Sequence, residues 1–399
     1  MQHSDVLIVG AGPVGVLNAL GLARTGLSVT LVDAEPGIGD APRAMVYHWS
    51  VLEGIERLGL LDAAKQVGFT KQDYAWYVYA TGEKIALSVA VLEGLVPHPY
   101  NLHMGQHKLA EIALGELGRF DNAAVRFGTR VTGLTQDDDG VTVTVDTPTG
   151  TDQLRASYLI GSDGAGSTVR KALGLGFDGM TWPERFVATN VRYDFEKYGY
   201  ARSTLQIDPT YGAIIAKIDD TGLWRVTYAE HPDTPEDRMG DRIPGWFEKL
   251  LPGDDDYELD AYRPYRMHQR AASSMRAGRV VLAGDAAHAT NPTGGLGLTS
   301  GLFDTFVLYD ALAAVVKGTA DASVLDRYSQ ERRRTFLEIA SPRASANKRL
   351  LYHTSDPVAL EAELSKLRAM AADEDLQRTN FMFTKQLETA PLVPSAATV

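Results

Sequence analysis

The sequence predicts an α/β fold with an inserted antiparallel β-sheet and a set of C-terminal helices. Residues 5–9 and 28–32 form short apolar strands on either side of a helical stretch, 13–25, and such a β-α-β unit implies a parallel sheet. Between residues 186 and 270, short strand-like runs separated by turn residues indicate antiparallel sheet. From about residue 302 to residue 370 the apolar pattern is mostly helical.

Two further helices are predicted in the first third of the chain. Residues 50–58 have apolar side chains on one face, and Ser50 and Glu53 have the spacing of a capping box. Residues 106–117 show a similar helical pattern.

A β-hairpin is predicted near the middle of the chain. Residues 129–136 and 141–146 alternate apolar and polar side chains, and Asp139-Gly140 supplies a turn between them. Further buried strands are predicted at residues 154–160 and 279–283. Both of these strands run directly into glycine-rich turns.

The composition is that of a soluble globular protein. Of the 399 residues, 44% are hydrophobic and 23% are charged, and 51 acidic against 39 basic side chains give a net charge of −12. Because such a surface repels phosphate groups, neither nucleic acid nor an anionic membrane is an expected partner. The chain has no cysteine, which excludes disulfides, thiolate metal sites and a cysteine nucleophile. The histidine spacing does not suggest a metal site either.

No targeting or membrane-spanning segment is expected. The N-terminus lacks a basic region, and Gly10, Gly12 and Gly15 interrupt the apolar stretch that follows. No run approaches the roughly 18 apolar residues of a spanning helix. A cytoplasmic location is expected.

The first strand runs into a G-x-G-x-x-G motif. Gly10 permits a tight turn, Gly12 lets the backbone approach a pyrophosphate, and Gly15 lets the helix pack close to the strand. Pro13 suits the first helical turn, where its missing N–H costs nothing. A pyrophosphate at the helix N-terminus would meet free N–H groups and a favourable dipole. The motif thus indicates a Rossmann-like dinucleotide site.

An acidic residue follows at the expected distance. Asp33 ends the second strand, 18 residues beyond Gly15, and its carboxylate can accept hydrogen bonds from an adenosine ribose; Glu35 is a weaker candidate. This part of the motif does not distinguish FAD from NAD. The cofactor-binding residues predicted here are Gly10, Gly12, Pro13, Val14, Gly15, Asp33 and Ala34.

Two more glycine motifs complete a recognisable set. The second reads Gly161-Ser162-Asp163-Gly164-Ala165-Gly166-Ser167. The third reads Gly284-Asp285-Ala286-Ala287-His288 and continues with Pro292-Thr293-Gly294-Gly295-Leu296-Gly297. Together the three motifs resemble the class A flavoprotein monooxygenases, single-component aromatic hydroxylases of the p-hydroxybenzoate hydroxylase type. The resemblance covers about residues 5–345 and implies an FAD-binding domain of the glutathione reductase type.

The resemblance also assigns roles to residues of the third motif. Asp285 would bind the ribityl hydroxyls of FAD. The segment from Pro292 to Leu298 would lie along the isoalloxazine ring, and a helix from about Thr299 would direct its N-terminus at the reduced flavin. Where family members often have Gly-Gly-Gln-Gly-Met-Asn, this chain has Leu296 and Thr299 but keeps the glycine spacing. The implied contacts are Asp285, Pro292, Gly295, Leu296, Gly297 and Leu298.

Four residues elsewhere match further family positions. Asp163-Gly164 resembles the fingerprint linked to both FAD and NAD(P)H, although Asp163 is equally suited to capping a helix. Arg43 matches the arginine at the FAD diphosphate, and Gln106 matches an FAD-contacting glutamine. NAD(P)H is the implied co-substrate, bound without a second nucleotide-binding unit.

The resemblance predicts an interleaved domain organisation. The FAD-binding domain would comprise residues 1–67, 105–174 and 270–350, and the substrate domain residues 68–104 and 175–269. Residues 351–399 would form a C-terminal helical segment and tail. The two substrate-domain segments hold 12 of the 17 tyrosines and 4 of the 5 tryptophans. That enrichment suits either ordinary sheet packing or a pocket for a flat apolar ligand.

The predicted reaction is hydroxylation of a phenolic or N-heteroaromatic compound with NAD(P)H and O2, through a C4a-hydroperoxyflavin, as the resemblance implies. Alternatives are an FAD-dependent reductase or halogenase of related fold, although no W-x-W-x-I-P segment is present, and a flavoprotein that sequesters an aromatic ligand. A monomer or homodimer is expected.

The sequence assigns no catalytic side chain. Sheet packing explains several tyrosines as well as substrate contact does, namely Tyr47, Tyr77, Tyr79, Tyr211 and Tyr228. His288 is expected to be structural. The basic run from Arg332 to Arg334 is interpreted as a solvated helix face.

Overall fold

A computed structural model describes residues 2–39 and 44–394. Its strands are β1 (Gln2–Val9), β2 (Val29–Val32), β3 (Val46–Tyr47), β4 (Phe69–Lys71), β5 (Asp73–Val78), β6 (Glu83–Ser88), β7 (Asn101–His103), β8 (Ala123–Arg126), β9 (Arg130–Gln136), β10 (Val141–Thr147), β11 (Gly150–Gly161), β12 (Phe177–Arg192), β13 (Ser203–Ile207), β14 (Ala213–Lys217), β15 (Leu223–Glu230), β16 (Glu258–Ala272), β17 (Arg276–Ala277), β18 (Val280–Leu282) and β19 (His288–Ala289).

The helices lie between these strands and after them. They are α1 (Pro13–Arg24), α2 (Trp49–Arg57), α3 (Leu61–Val67), α4 (Gln106–Leu117), α5 (Thr168–Ala172), α6 (Met239–Leu250), α7 (Leu296–Val316), α8 (Ser323–Thr335), α9 (Ser341–Tyr352), α10 (Pro357–Ala372) and α11 (Glu374–Met382). A π-helical turn, Phe336–Ala340, joins α8 to α9.

The first sheet has the order β17-β18-β11-β1-β2-β8, and the hairpin β9–β10 continues from β11. Strands β18, β11, β1, β2 and β8 are parallel, which confirms the α/β class and the N-terminal β-α-β unit. Strands β9 and β10 pair antiparallel, as the sequence predicts. The Asp137 carboxylate accepts from the amides of Asp139 and Gly140, and this arrangement forms the turn.

The second sheet has the order β19-β16-β12-β15-β14-β13-β5-β6. Every pairing in it is antiparallel except β13 with β5, so the predicted antiparallel sheet is present with one parallel join. One face packs against α6, and the other packs against α9 and α10. The domain boundaries proposed above stay a prediction.

A small third sheet, β3-β7-β4, draws distant segments together. Val46 of β3 and Phe69 of β4 both pair with His103 of β7. The sheet therefore holds His48, which follows β3, and Lys71, which ends β4, in the same region as His103.

Two helix predictions need correction. The helix predicted at residues 50–58 begins at Trp49, and His48 is its N-cap residue without a side-chain cap bond. Ser50 is buried and its hydroxyl has no partner among the described residues, so no capping box forms. The long helix α7 is long and apolar enough to span a membrane, contrary to the sequence-based expectation, but 78% of that stretch is buried inside the protein. Its apolar surface is therefore that of a core helix.

The interpretation of Arg332–Arg334 as a solvated helix face is wrong for Arg332. Arg332 is fully buried, and only Arg334 of the three is well exposed. The Arg332 guanidinium pairs with Asp304 of α7 and donates to the carbonyls of Ser300 and Leu387. A run of charges on α8 thus contributes a core cation, because α7 and the C-terminal segment supply its partners.

Candidate active site

The three glycine motifs meet at one edge of the first sheet. The adjacent parallel strands β1, β11 and β18 end at Val9, Gly161 and Leu282, and each is followed by one motif. Because carboxyl ends of parallel strands share an edge, the motifs converge there. The Ser162 hydroxyl donates to the Val9 carbonyl at 2.9 Å, and Arg170 donates to the Ala286 carbonyl at 2.8 Å.

The glycines of the first motif have different surroundings. A Cβ on Gly10, whose φ is +102°, would lie 2.5 Å from the Ser162 carbonyl oxygen, and one on Gly15 would lie 1.8 Å from the Gly10 oxygen. A Cβ on Gly12 would meet nothing within 4 Å. Since Gly12 is the N-cap of α1 and Pro13 opens the helix, the open space lies at a helix N-terminus suited to a phosphate. Val14 of the same turn packs against Gly284.

The contrast between these glycines gives a prediction. Gly12→Ala is expected to fold like the wild type, because its methyl group enters open space, but to bind FAD at least about tenfold more weakly, since the methyl group occupies the phosphate position. Thermal unfolding and FAD titration measure the two effects. The matched control is Gly115→Ala in α4, where a Cβ also meets nothing. Equal FAD affinity in both variants would contradict the assignment of Gly12.

The predicted ribose ligand already has protein contacts. The Asp33 carboxylate follows β2 and accepts from the amides of Ala11 at 2.6 Å and Glu35 at 2.8 Å. These bonds fix the carboxylate beside the glycine turn, and each oxygen retains a further lone pair. Ala34 is half-buried next to it. Gln106 is the first residue of α4.

In the second motif, Asp163 caps a helix. Its carboxylate accepts from the Ser167 hydroxyl at 2.5 Å and from the amides of Thr168 and Val169 at 2.7 and 3.1 Å. The capping alternative thus has direct structural support. Gly164 has a φ of +79°, which a glycine adopts without strain. Arg43 lies outside the described residues.

The third motif forms a 3₁₀ turn and a loop. Asp285 lies in the turn Gly284–Ala286 after β18 and is exposed at the edge where the motifs meet. The loop that follows, residues 290–295 (the flavin loop hereafter), runs through Pro292 to Gly295. Gly295 is the N-cap of α7, so the helix begins at Leu296, earlier than the predicted Thr299, and includes Gly297 and Leu298.

Side chains of Gln269 and His48 hold the flavin loop. Gln269 of β16 donates to the Thr290 hydroxyl at 2.8 Å and accepts from the Asn291 side chain at 3.0 Å. His48 Nε2 lies 2.8 Å from the Gly294 carbonyl oxygen. Gly294 and Gly295 have φ values of +97° and +69°, and a Cβ on Gly294 would lie 2.7 Å from the Asn347 amide nitrogen. Backbone conformation and packing thus both require glycine here.

A buried ionic network lies beside the 3₁₀ turn of the third motif. Asp304 of α7 accepts from the Gly284 amide at 2.9 Å, from His288 Nε2 at 2.8 Å and from Arg332 Nε at 2.7 Å. Burial alone would raise the pKa of Asp304, but His288 and Arg332 outweigh it and lower the pKa to about 2. The His288 ring stacks on Phe336 of the π-helical turn. His288 is therefore structural, as predicted.

Sequence reasoning missed Asp304, although a signal was present. Asp304 is an isolated acid in an apolar helical stretch, Gly301-Leu302-Phe303-Asp304. A buried carboxylate requires a partner, so such a residue indicates a buried cation elsewhere. The neighbouring arginine run supplies that cation.

The second sheet faces the flavin loop with aromatic and polar side chains. Tyr265 lies on the same face of β16 as Gln269, which binds the loop, and its ring packs edge-on against Phe186. Arg225 of β15 donates to the Asn190 side chain, and burial lowers the pKa of Arg225 to about 10. Tyr265 and Arg225 also interact electrostatically with each other.

The tyrosines singled out from the sequence lie elsewhere. Tyr77, Tyr211 and Tyr228 belong to the cluster on the opposite face, with α6, and Tyr79 packs against Tyr211. Tyr47 is buried in the core of the first sheet. Tyr265 lies on the same face of β16 as Gln269, which binds the flavin loop, and Tyr74 lies beside Lys71 and Arg343. Sequence patterning does not distinguish these two tyrosines from the others.

Comparison with known proteins decides the family. A protein family described as FAD binding domain matches residues 3–340. The chain belongs to this FAD-binding family. It is 44% identical over 385 residues to 6-hydroxy-3-succinoylpyridine 3-monooxygenase of Pseudomonas putida (strain DSM 28022 / S16), covering 96% of this chain and 98% of the relative. It is 45% identical over 346 residues to para-nitrophenol 4-monooxygenase of Pseudomonas sp. (strain WBC-3), covering 86% of each.

Solved structures of the FAD-binding family have the same fold. The crystal structure of p-nitrophenol 4-monooxygenase from Pseudomonas putida DLL-E4 superposes with a TM-score of 0.94 at 41% identity, covering 97% of this chain and 99% of that one. Aklavinone-11 hydroxylase, in complex with FAD and aklavinone, gives a TM-score of 0.80 at 30% identity, covering 89% and 71%. The protein is accordingly an FAD-dependent aromatic hydroxylase, which confirms the fold, cofactor and reaction class predicted from the sequence.

The described residues fit FAD. Gly12 leaves open space at a helix N-terminus, and the buried Thr293 hydroxyl of the flavin loop has no hydrogen-bond partner among the described residues. An unsatisfied polar atom in a loop that the sequence predicts to contact FAD suits a hydrogen bond to that cofactor. Neither feature has a structural explanation within the described protein.

Proposed function

We propose that the protein hydroxylates the ring of a phenol or a hydroxylated N-heteroaromatic compound. The supporting observation is the position of His48 against the flavin loop. Because the Gly294 carbonyl can only accept, His48 Nε2 carries the hydrogen of their 2.8 Å bond, and Nδ1 keeps a lone pair. A neutral imidazole beside the flavin loop is suited to accept the proton of a ring hydroxyl.

The protonation state of His48 agrees with a role as proton acceptor. Burial lowers its pKa, with the Gly294 carbonyl opposing and Lys71 adding to the effect. The side chain therefore stays neutral at physiological pH and can act as a base. A ring that has lost its hydroxyl proton is richer in electrons and reacts more readily with an electrophilic oxygen.

Other residues of the chain would bind the cofactor and orient the substrate. FAD, when bound, supplies the redox and oxygen-activating chemistry, with NAD(P)H as reductant and O2 as oxygen source. The three glycine motifs would hold it through the predicted residues, among them Asp33, Asp285 and Gln106. The N-terminus of α7 favours negative charge at Gly295. Tyr265 and Arg225 would orient the substrate ring on the side of the second sheet.

The relatives support this substrate class. One acts on 6-hydroxy-3-succinoylpyridine, a hydroxylated pyridine, and another on para-nitrophenol, a phenol. Both compounds are aromatic rings that carry a hydroxyl group. We infer the same class for this chain, in a cytoplasmic monomer or homodimer without a nucleic-acid or membrane partner, as the net charge of −12 favours.

The test is NAD(P)H oxidation by the FAD-loaded protein with a panel of hydroxylated benzenes and pyridines that includes both compounds. We expect slow oxidation alone, strong stimulation by the correct compound and a product heavier by one oxygen. Stimulation confined to rings without a hydroxyl group would contradict the proposal.

A further inference from the structure

A buried lysine lies behind His48, at the end of the small sheet. Lys71 of β4 is 3% exposed, and its Nζ donates to the main-chain carbonyl of Asp73 at 2.5 Å. Nearby, His103 of β7 is fully buried and donates from Nδ1 to the Lys217 carbonyl at 2.8 Å. Within residues 2–39 and 44–394, no carboxylate forms an ion pair with Lys71. An amine buried without an ion pair calls for a functional explanation.

The groups around Lys71 influence one another. Burial lowers the pKa of Lys71 to about 7, with Asp73 opposing and Arg202 adding to the effect. The pKa of His103 is lowered well below its ordinary value, first by burial and then by Lys71. Lys71 also lies 6.0 Å from the centre of the Tyr74 ring. Unlike an exposed lysine, Lys71 can therefore gain and lose a proton near neutral pH.

Asp73 connects this buried group to the surface. An open cavity of about 330 Å³ is lined by alternate residues of β5, namely Asp73, Ala75 and Tyr77, and by side chains including Lys84 and Glu196. The carbonyl of Asp73 binds Lys71, and the same residue lines the cavity. Asp73 thus contacts both the buried amine and a water-accessible space.

We propose that Lys71 carries a proton from His48, at the flavin loop, to the cavity lined by Asp73. This inference rests on the proposed function. The O–H bond of the bound substrate breaks, and its proton goes to Nδ1 of His48. The proton then passes through water to the neutral amine of Lys71 and from there to water in the cavity. No electrons move, and His48 and Lys71 both return to their starting states.

A fixed positive charge at Lys71 would also favour ionisation of the substrate. The test must therefore distinguish a lysine that transfers the proton from a lysine that only supplies positive charge. Lys71→Met removes both properties, whereas Lys71→Arg keeps the charge but cannot release a proton. The FAD-loaded enzyme is mixed with 4-nitrophenol without NAD(P)H, below the pH at which the free phenol ionises. Phenolate absorbance, corrected for flavin, reports ionisation, and an indicator dye in weak buffer reports proton release.

We expect wild-type enzyme to ionise 4-nitrophenol and release the proton, with a rate that rises from about pH 5.5 to about pH 6.5, because the neutral fraction of Lys71 grows as pH approaches its pKa of about 7. Both Lys71 variants should release it at least about tenfold more slowly. Added imidazole should restore release in Lys71→Met by entering the cavity. The matched control is Lys108→Met, which removes an exposed lysine paired with Glu111 and should behave like wild type.

If Lys71→Arg releases the proton at the wild-type rate, Lys71 is not a proton carrier and acts only through its positive charge. Failure of the wild type to bind or ionise 4-nitrophenol would also overturn the proposal. A wild-type release rate that does not change between about pH 5.5 and about pH 6.5 would overturn it even if neither variant folds. These outcomes leave the hydroxylation assay untouched, so they are distinguishable from failure of the proposed function.

Discussion

Asp304→Asn is expected to destabilise the protein by about 3–5 kcal/mol, the cost of leaving a buried partner charge unpaired. The substitution preserves the shape of the side chain but leaves the guanidinium of Arg332, which is fully buried, without its counter-charge. It also weakens the acceptor for the Gly284 amide and thereby the third glycine motif. Denaturant unfolding measures the loss, and FAD retention should fall with it.

The matched control for Asp304→Asn lies in the same helix. Burial raises the pKa of Asp310, so its charged form is disfavoured in the folded state, and Asp310→Asn should leave stability unchanged or raise it. Equal destabilisation by the two variants would show that the network around Asp304 contributes nothing specific.

Because the pKa of Asp304 is lowered from 3.8 to about 2, the contribution of its carboxylate to folding stability is complete above pH 3.8 and is lost as pH falls through 2.

His48→Gln is expected to lower kcat/KM for a phenolic substrate by about 10²–10⁴, the usual contribution of a general base. Gln can still donate to the Gly294 carbonyl, so the flavin loop keeps its contact while the basic nitrogen is lost. Substrates that are already ionised in solution should be affected least. Since the pKa of His48 is lowered from 6.5, the imidazole is still mostly neutral at pH 6.5 and protonates only at lower pH.

The control is His231→Gln, because the His231 side chain is 72% exposed. It should retain wild-type kinetics and the same pH profile. An equal loss for ionised and neutral phenols in His48→Gln, with FAD binding intact, would argue for a steric role of His48 and against a proton acceptor.

Local signals made much of the fold predictable. The turn at Gly10, the helix start at Pro13 and the hairpin around Asp139-Gly140 each depend on the backbone preferences of a few neighbouring residues. These features require no knowledge of distant contacts, and the structure has them where the sequence places them.

Other features depend on partners far away in the chain. Arg332 is buried because Asp304 and the Leu387 carbonyl meet it, and a run of three arginines carries no record of those contacts. Strands β3 and β4 have two and three residues, too few for a periodic signal, and both pair with β7. The surroundings of Lys71 and His48 were therefore not visible in the sequence.

The most direct test of the central claim is turnover of the stimulating aromatic compound under isotopically labelled O2. If bound FAD supplies the oxygen-activating chemistry and O2 is the oxygen source, hydroxylation places one labelled atom in the product. We expect the product to gain one oxygen carrying the label and to be absent under anaerobic conditions. Product without label, or conversion without O2, would contradict monooxygenation by this protein.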